Sequence, residues 1–231
     1  MTDLTKYIKD TLISAGADLV GIGALDEIPE NMRCGLPVGI CIAVQYPKDV
    51  IRGIADLPTK EYYDQSNLMN EKLDELAILG ADKITALGYR AVPQTRAYVG
   101  QFKTDYSPLL PHKTVATRAG LGWIGKSALL VTEEFGPMIR LTSVLTDAPL
   151  ETADPINRAR CGDCTECTKA CPAGAISGKL WSVDVYRDEF YNAAACRETA
   201  RNRSKKGFGI EITLCGKCIE ICPYTRRNLE G

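Results

Sequence analysis

The sequence is poor in histidine, in long apolar runs and in excess charge of either sign. His112 is the sole histidine among 231 residues. No apolar run approaches the ~18 residues of a membrane span, and the amphipathic N-terminus lacks the uninterrupted apolar core of a signal peptide. With 28 Lys and Arg against 29 Asp and Glu, the net charge is −1, which argues against a mainly electrostatic nucleic-acid binder. We therefore expect a soluble, cytoplasmic protein without a membrane partner.

Cysteine is the residue type that the sequence holds in unusual number. Ten cysteines are present, and eight of them follow residue 160, while only Cys34 and Cys41 precede it. In a reducing cytosol, clustered cysteines bind metal more often than they form disulfides. The stretch 146–155 has the proline and acidic composition of a connector. We therefore predict one domain over residues 1–150 and a second, cysteine-rich domain over residues 151–231.

The first 150 residues mix helical and strand patterns. Apolar residues recur at helical spacing over 4–13 and 62–87, and Gly80 predicts a break in the longer helix. Strand patterns cover 18–22, 38–44 and 138–146. Within the second of these, Cys41 is predicted to be a buried small hydrophobe, whereas Cys34 is a candidate reactive thiol. This mixture predicts an α+β or α/β fold.

The cysteine-rich part carries the ligand pattern of a bacterial two-cluster ferredoxin. Residues 161–172 follow the order Cys-x2-Cys-x2-Cys-x3-Cys-Pro, and residues 215–223 repeat its last part. Three closely spaced thiolates bind one [4Fe-4S] cube, while the fourth binds the other cube. In the second run Ile212 stands where the first cysteine is expected, and Cys196 is the sole candidate to replace it.

Crossed ligation then predicts two ligand sets. The first set is Cys161, Cys164, Cys167 and Cys222, and the second set is Cys171, Cys196, Cys215 and Cys218. A pair of zinc sites is the alternative, although zinc ribbons usually use two Cys-x2-Cys pairs. Residues 151–231 also hold 13 Lys and Arg against 11 Asp and Glu. We interpret the basic run at 201–206 as an offset to the cluster charge rather than as an RNA-binding segment.

The segment 119–127, AGLGWIGKS, matches two nucleotide-binding patterns in its letters. Residues 120–127 fit the P-loop expression, and Gly120, Gly122 and Gly125 fit GxGxxG. Both motifs require a strand before the glycines and a helix after them. Here the preceding residues look helical and the following ones look extended, so we predict neither ATP nor NAD binding. A glycine-rich turn still allows the backbone to approach a flat cofactor closely.

Taken in order, these motifs resemble the epoxyqueuosine reductase family. The resemblance rests on HKTVATRAGLGWIGKSALLV at 112–131, CGDCTECTKACPAGAI at 161–176, the lone Cys196, and CGKCIEICPYTRRN at 215–228. It implies a cobalamin-binding domain, related in shape to nitroreductases, that is joined to a domain with two iron–sulfur clusters. Reductive dehalogenases share this pair of domains. The expected fold class is α+β, with a nitroreductase-like α/β cofactor domain followed by a two-[4Fe-4S] ferredoxin domain.

The resemblance also implies roles for individual residues. The family's motif DTGPVLER resembles TDYSPLLPH at 104–112, and its catalytic aspartate, a proposed proton donor, falls on Asp105. Cobalamin is expected against the glycine loop, and the candidate contacts are Gly120, Gly122, Trp123, Gly125, Lys126 and His112. Because the cobalamin-binding motif DxHxxG is absent, a bound cobalamin should be base-off, without a protein histidine below cobalt. A second family motif, GRDYH, aligns with residues 62–66, where Asp64 matches and Ser66 replaces the histidine.

These features predict an iron–sulfur oxidoreductase. Electrons from an external ferredoxin or flavodoxin would pass through two [4Fe-4S] clusters to cobalamin, which would reduce a small substrate. One alternative is an electron-transfer protein that reduces a corrinoid, a corrinoid protein or another partner without a substrate of its own. Another alternative is an FMN-dependent reductase. The near-neutral charge, and the absence of the family's helical-repeat tail after Gly231, argue against tRNA as a substrate.

Overall fold

The protein is built from helices and short strands in alternation. The computed structural model describes residues 2–101, 103–104 and 106–230. The helices are α1 (Asp3–Ser14), α2 (Lys48–Arg52), α3 (Lys60–Ala86), α4 (Arg96–Gly100), α5 (His112–Arg118), α6 (Glu166–Ala170), α7 (Ala193–Phe208), α8 (Lys217–Glu220) and α9 (Pro223–Glu230). The strands are β1 (Leu19–Ala24), β2 (Val38–Gln45), β3 (Ala91–Pro93), β4 (Lys103–Thr104), β5 (Ser107–Pro108), β6 (Trp123–Ile124), β7 (Leu130–Val131) and β8 (Ile139–Thr146). No helix within these described ranges is long and apolar enough to cross a membrane.

The backbone contacts divide the chain into two compact units that are interleaved along the sequence. The first unit comprises residues 1–44, 69–122 and 140–156, and the second comprises 45–68, 123–139 and 157–231. The last change of unit, after Ile156, lies close to the connector predicted from composition. The division of the chain at residue 150 into two functional domains stays a prediction, because the contacts group segments 45–68 and 123–139 with the cysteine-rich part.

A four-stranded sheet with the order β1-β2-β8-β3 organises the first unit. Strands β1 and β2 are antiparallel, with Leu19 opposite Ala43 and Ala24 opposite Val38. Strand β2 lies between β1 and β8, and its residues from Gly39 to Ala43 are all buried, so side chains on both faces of this strand are covered. The three strands predicted from sequence at 18–22, 38–44 and 138–146 are confirmed to within two residues.

Helices α1 and α3 supply the rest of the first unit's core. Ile8 and Leu12 of α1 are buried in one cluster with Leu73 and Leu76 of α3. The predicted break at Gly80 is wrong, since α3 runs through it as a helix of 27 residues. A Cβ at Gly80 would lie 3.5 Å from side-chain atoms of Leu12 and Val144. The glycine therefore sits inside the core packing rather than at a helix end.

Glycines in β1 bring the end of α5 onto the sheet. A Cβ at Gly23 would lie 2.3 Å from the carbonyl carbon of Arg118, a distance that no side chain tolerates. The Arg118 side chain is 4% exposed, and its guanidinium donates to Glu27 Oε2 at 2.8 Å. Gly120 then takes a left-handed conformation with φ of 68°, which suits glycine. This turn directs the chain into the glycine loop.

The second unit is held together by aromatic contacts and by turns around the cysteines. The rings of Tyr46 and Tyr62 lie 5.1 Å apart, and Trp123 meets Tyr224 edge to face at 5.0 Å. Helix α7 begins at an Asn192 cap, whose side chain accepts from Ala195 N–H, and ends at Gly209 with φ of 82°. These caps satisfy groups that helix ends otherwise leave unpaired, and they fix where Cys196 sits.

Candidate functional site

A cavity of about 390 Å³ lies among the cysteines of the first predicted set. Its wall includes Cys161, Cys164, Cys167 and Cys222, together with Cys218. Four thiolates close directly around zinc, with Zn–S distances of about 2.3 Å, so this space fits a larger guest. The four thiol donors and the size of this space fit a [4Fe-4S] cube.

Short local turns aim the sulfurs of this set inward. Cys164 N–H donates to the carbonyl of Cys161 at 3.1 Å, and Gly162 between them takes φ of 51°. Cys167 lies on α6, whose end delivers Cys171. Cys222 immediately precedes α9, and its sulfur accepts backbone N–H bonds from Tyr224 and Thr225. Burial raises the pKa of Cys222 to about 11, and these two hydrogen bonds at the start of α9 counter part of that rise.

Lys126 is a buried cation in the wall of the cavity. Its side chain is 6% exposed, and Nζ donates to the carbonyl oxygens of Gly162 at 2.9 Å and Cys164 at 2.8 Å. Both acceptors belong to the loop that carries the first two cysteines. The ammonium therefore braces that loop and places a positive charge beside the predicted cluster.

Gly125 lets the glycine loop approach the same cysteines. A Cβ at this position would lie 3.5 Å from Cys161 Sγ and 2.8 Å from Val131 Cγ2. Helix α5 precedes the glycines, and the short strands β6 and β7 follow at Trp123–Ile124 and Leu130–Val131. The reversed order of elements predicted from sequence is thus confirmed. The loop thus approaches Cys161 closely, and its approach to a flat cofactor stays a prediction.

The thiols of the second predicted set also come together. Cys218 interacts electrostatically with Cys215, Cys196 and Cys171, and its burial raises the pKa of the thiol well above its ordinary value. Cys196 interacts with Cys171 and Cys215, and burial raises its pKa as well. Since Cys218 also faces Cys167 and lines the first cavity, the two sets lie side by side. Crossed ligation by these eight cysteines stays a prediction that this arrangement favours.

Two hydrogen bonds at the second set were not found from the sequence. The phenol of Tyr191 donates to Cys196 Sγ, and burial with nearby thiols raises the pKa of Tyr191. The backbone N–H of Ala175 donates to Cys171 Sγ at 3.4 Å. Hydrogen bonds to cluster sulfurs tune reduction potentials. Neither donor has a sequence signal beyond its nearness to a cysteine.

The other predicted cofactor contacts lie in varied surroundings. Gly125 and Lys126 line the cysteine cavity, whereas a Cβ at Gly120 would lie 3.0 Å from the Asp154 carbonyl oxygen, and Gly122 is buried. Trp123 is fully buried, and its indole N–H has no acceptor among the described residues. Asp105, the predicted catalytic residue, lies outside the described residues.

His112 is held on the first unit's sheet. Its Nδ1 lies 2.8 Å from Ser143 Oγ, and burial lowers the pKa of the imidazole to about 4. The side chain is therefore neutral at pH 7. A contact with a cofactor stays a prediction for this residue.

The two cysteines outside the ligand sets have contrasting environments. Cys41 is completely buried in β2, and its burial raises the pKa of the thiol, which confirms its predicted role in packing. Cys34 is exposed, with φ of 56°, and its sulfur lies 3.2 Å from the hydroxyl oxygen of Tyr98. The hydrogen bond to Cys34 is the main cause that raises the pKa of Tyr98 to about 12. Cys34 as a reactive thiol stays a prediction.

Comparison with known proteins agrees with this site. Residues 160–225 match the family model of a 4Fe-4S double cluster binding domain. The chain is 36% identical over 123 residues to an epoxyqueuosine reductase of Listeria monocytogenes, covering 48% of this chain and 29% of that relative. It is 27% identical over 264 residues to the epoxyqueuosine reductase of Prochlorococcus marinus, covering 98% and 80%. The chain thus spans less than a third of the Listeria relative that it matches.

Solved structures share the fold. A catabolic reductive dehalogenase in complex with 3-bromo-4-hydroxybenzoic acid superimposes with a TM-score of 0.74 at 20% identity, covering 95% of this chain and 31% of that one. An epoxyqueuosine reductase with a tRNA-Tyr stem loop gives a TM-score of 0.62 at 20% identity, covering 96% and 65%. Together with the family model, these likenesses confirm the resemblance to epoxyqueuosine reductases and the predicted fold class, including a two-[4Fe-4S] domain.

Proposed function

We propose that this chain is an iron–sulfur oxidoreductase that passes single electrons through two [4Fe-4S] clusters to a bound cobalamin and reduces a small substrate there. The observation that carries the proposal is the pair of adjacent four-cysteine sets, with Gly125 and Lys126 of the glycine loop against the first set. A reductive dehalogenase of the same fold has been associated with B12-dependent dehalogenation, which supports cobalamin as the cofactor.

The chain's own residues provide the cluster environment. [4Fe-4S] clusters supply one-electron storage at potentials that their surroundings set. Cys222 receives two backbone N–H groups, Cys171 receives one, and Cys196 receives the Tyr191 phenol. Lys126 adds a buried positive charge beside the first set. These groups compensate the negative charge that iron-bound thiolates bring into a partly buried site.

Trp123 and His112 are two of the predicted cobalamin contacts, and the hydrogen bonds that each side chain makes or lacks limit what it could do there. A bound cobalamin would supply a low-potential cobalt centre. The buried indole N–H of Trp123 is unpaired within the described residues. It could donate a hydrogen bond to an amide or phosphate oxygen of the cofactor. His112 has its Nδ1 engaged by Ser143, so we propose no axial role for it. Asp105 remains the proposed proton donor, by the family resemblance.

Cofactor analysis of anaerobically purified protein tests this function. We expect about eight irons and eight sulfides per chain, and a shift in the visible and EPR spectra of cob(II)alamin when the protein is added. Two zinc ions without charge-transfer absorbance would contradict the iron–sulfur part. Normal clusters without any change in cob(II)alamin would contradict the cobalamin part, and an extracted FMN would favour the flavin alternative.

An electron-transfer protein without its own small substrate is the second candidate. Ser66 occupies the position of the histidine in the family motif GRDYH, and it is 5% exposed. Its hydroxyl lies 2.8 Å from Tyr46 Oη and 2.6 Å from the carbonyl oxygen of Tyr62. The position is thus committed to internal hydrogen bonds, which favours a changed or missing substrate site. Turnover assays with a tRNA-Tyr stem loop and with halogenated phenols, set against reduction of a free corrinoid, separate the two candidates.

A further inference from the structure

A basic and partly apolar surface lies beside the second cysteine set. Helix α7 carries five basic residues and one acidic residue, and Cys196 lies in its first turn. We call this region the α7 surface and define it by six side chains at least partly open to solvent, Arg197, Arg201, Lys205, Lys206, Ile210 and Ile212. Its position next to a predicted cluster ligand raises the question of what it binds.

The basic stripe follows from the way α7 packs. Ala200 and Ser204 follow Cys196 by one and two turns and are 2% and 0% exposed, so this face of the helix is buried. Residues four apart share a helix face, which places Arg197, Arg201 and Lys205 in a parallel stripe beside the buried face. The stripe therefore begins next to Cys196 and runs toward the end of the helix.

The segment 210–214 is fixed along this stripe. Ser204 Oγ lies 3.0 Å from the backbone nitrogen of Ile212 and 2.7 Å from its carbonyl oxygen, and Arg201 Nη2 lies 2.8 Å from Glu211 Oε1. The side chains of Ile210 and Ile212 are nevertheless 38% and 37% exposed. Because Ile212 precedes Cys215 by three residues, at most about 11 Å of chain separates them.

We propose that the α7 surface is the electron-entry site and docks a small acidic protein that carries a low-potential one-electron centre. Exposed isoleucines beside a row of cations provide the apolar and charged contacts of a transient protein interface, and the cations complement an acidic carrier. On docking, the carrier loses one electron and the [4Fe-4S] cluster on the second set gains it, with no bond made or broken. This inference rests on the clusters of the proposed function and is independent of cobalamin.

Charge compensation for the clusters does not account for the exposed lysines. Arg203 turns inward and donates to the carbonyl of Asp56. The Lys205 side chain is 67% exposed and stands 3.8 Å from Glu211, and Lys206 is exposed as well. Solvent screens such charges from a buried cluster, whereas a protein that approaches from solvent experiences them directly.

An RNA backbone is the less favoured occupant. Phosphates bind where cations dominate, yet Glu211 sits within the stripe and two isoleucines stand beside it. These features suit a protein partner with its own apolar contact. RNA binding is therefore kept as an outcome that the experiment can detect.

The test is the rate at which flavodoxin hydroquinone reduces the cluster-loaded protein. Stopped-flow absorbance follows the flavin semiquinone, and freeze-quenched EPR follows the reduced cluster. We expect Lys205→Glu/Lys206→Glu to lower the second-order rate about tenfold at low salt, with the difference shrinking as salt screens the charges. Ile210→Asp should lower the rate at every salt concentration.

A charge-matched control keeps the test specific. Lys6→Glu/Lys83→Glu changes the net charge equally at exposed positions on α1 and α3, and it should leave the rate near that of the unaltered protein. An equal loss in this control, or no loss in the α7 variants, would overturn the docking proposal. So would loss of stem-loop RNA binding in the α7 variants with an unchanged flavodoxin rate. Every variant must hold the same iron and sulfide content, and an unaltered protein without about eight of each would contradict the clusters themselves.

Discussion

Replacing Lys126 by glutamine should lower the reduction potential of the cluster predicted at the first cysteine set. The substitution removes a positive charge that is 6% exposed and lies 2.8 Å from the Cys164 carbonyl oxygen. Reduction adds a negative charge to the cluster, so a nearby cation stabilises the reduced state more than the oxidised one. Without the cation, the reduced state becomes harder to reach.

The size of the shift follows from Coulomb's law. At a charge-to-cluster distance of about 7 Å and an effective dielectric constant of about 20, one unit charge contributes about 2.4 kcal/mol. For a one-electron step this corresponds to about 100 mV. Lys126→Arg keeps the charge and should shift the potential much less. Lys169→Gln on α6 is the matched control, because Lys169 is exposed and solvent screens its charge.

An EPR-monitored redox titration of each variant measures the potential, with iron and sulfide content determined in parallel. The parallel analysis matters because Lys126→Gln also removes donors from two carbonyl oxygens, at a cost of about 1–3 kcal/mol. A fully loaded Lys126→Gln protein with an unchanged potential would refute the reasoning. An equal shift in Lys169→Gln would refute it too, since burial would then play no part.

Three further predictions concern ligands, packing and pH. Cys196→Ser should halve the iron content to about four per chain, whereas Cys34→Ser should leave it unchanged, as iron analysis will show. Gly125→Ala should lower cluster content and thermal stability, because its Cβ would press within 2.8 Å of Val131; calorimetry checks this. Burial lowers the pKa of His112 to about 4, below the value of about 6.5 in the unfolded chain. The neutral imidazole therefore contributes to the free energy of unfolding above about pH 6.5, and this contribution is lost as the pH falls toward 4. Denaturant unfolding should therefore show about 2 kcal/mol more stability lost between pH 7 and pH 5 than in His112→Asn.

Local patterns predicted the elements whose neighbours are close in sequence. The continuous apolar run of β2 signalled a strand buried on both faces, and the Cys-x2-Cys-x2-Cys spacing signalled a cluster-binding turn. The prediction at Gly80 was wrong because a glycine in a helical pattern can mark either the end of the helix or a site of close packing. Its neighbours Leu12 and Val144 lie far away in sequence, so spacing could not distinguish the two.

The contacts that define the candidate site are mostly long-range and lay beyond sequence reasoning. Lys126 meets carbonyl oxygens 36 and 38 residues later, and no periodicity links these positions. Cys196 was assigned by elimination, and its neighbours depend on where the Asn192 cap starts α7. Tyr191 had no signal at all, because a tyrosine beside a ligand is indistinguishable in sequence from a packing residue.

The glycine loop carries the letters of a P-loop but uses its donors within the protein. A P-loop needs free backbone N–H groups and a lysine that reaches phosphates. In this chain Gly125 N–H donates to the Leu129 carbonyl at 2.8 Å, and Ala128 N–H donates back to the Gly125 carbonyl at 2.9 Å. The Lys126 ammonium donates two of its three N–H groups to carbonyl oxygens of the cysteine loop. Gly125 N–H and the Lys126 ammonium are thus both engaged within the protein, and the lysine lies beside the predicted iron–sulfur site.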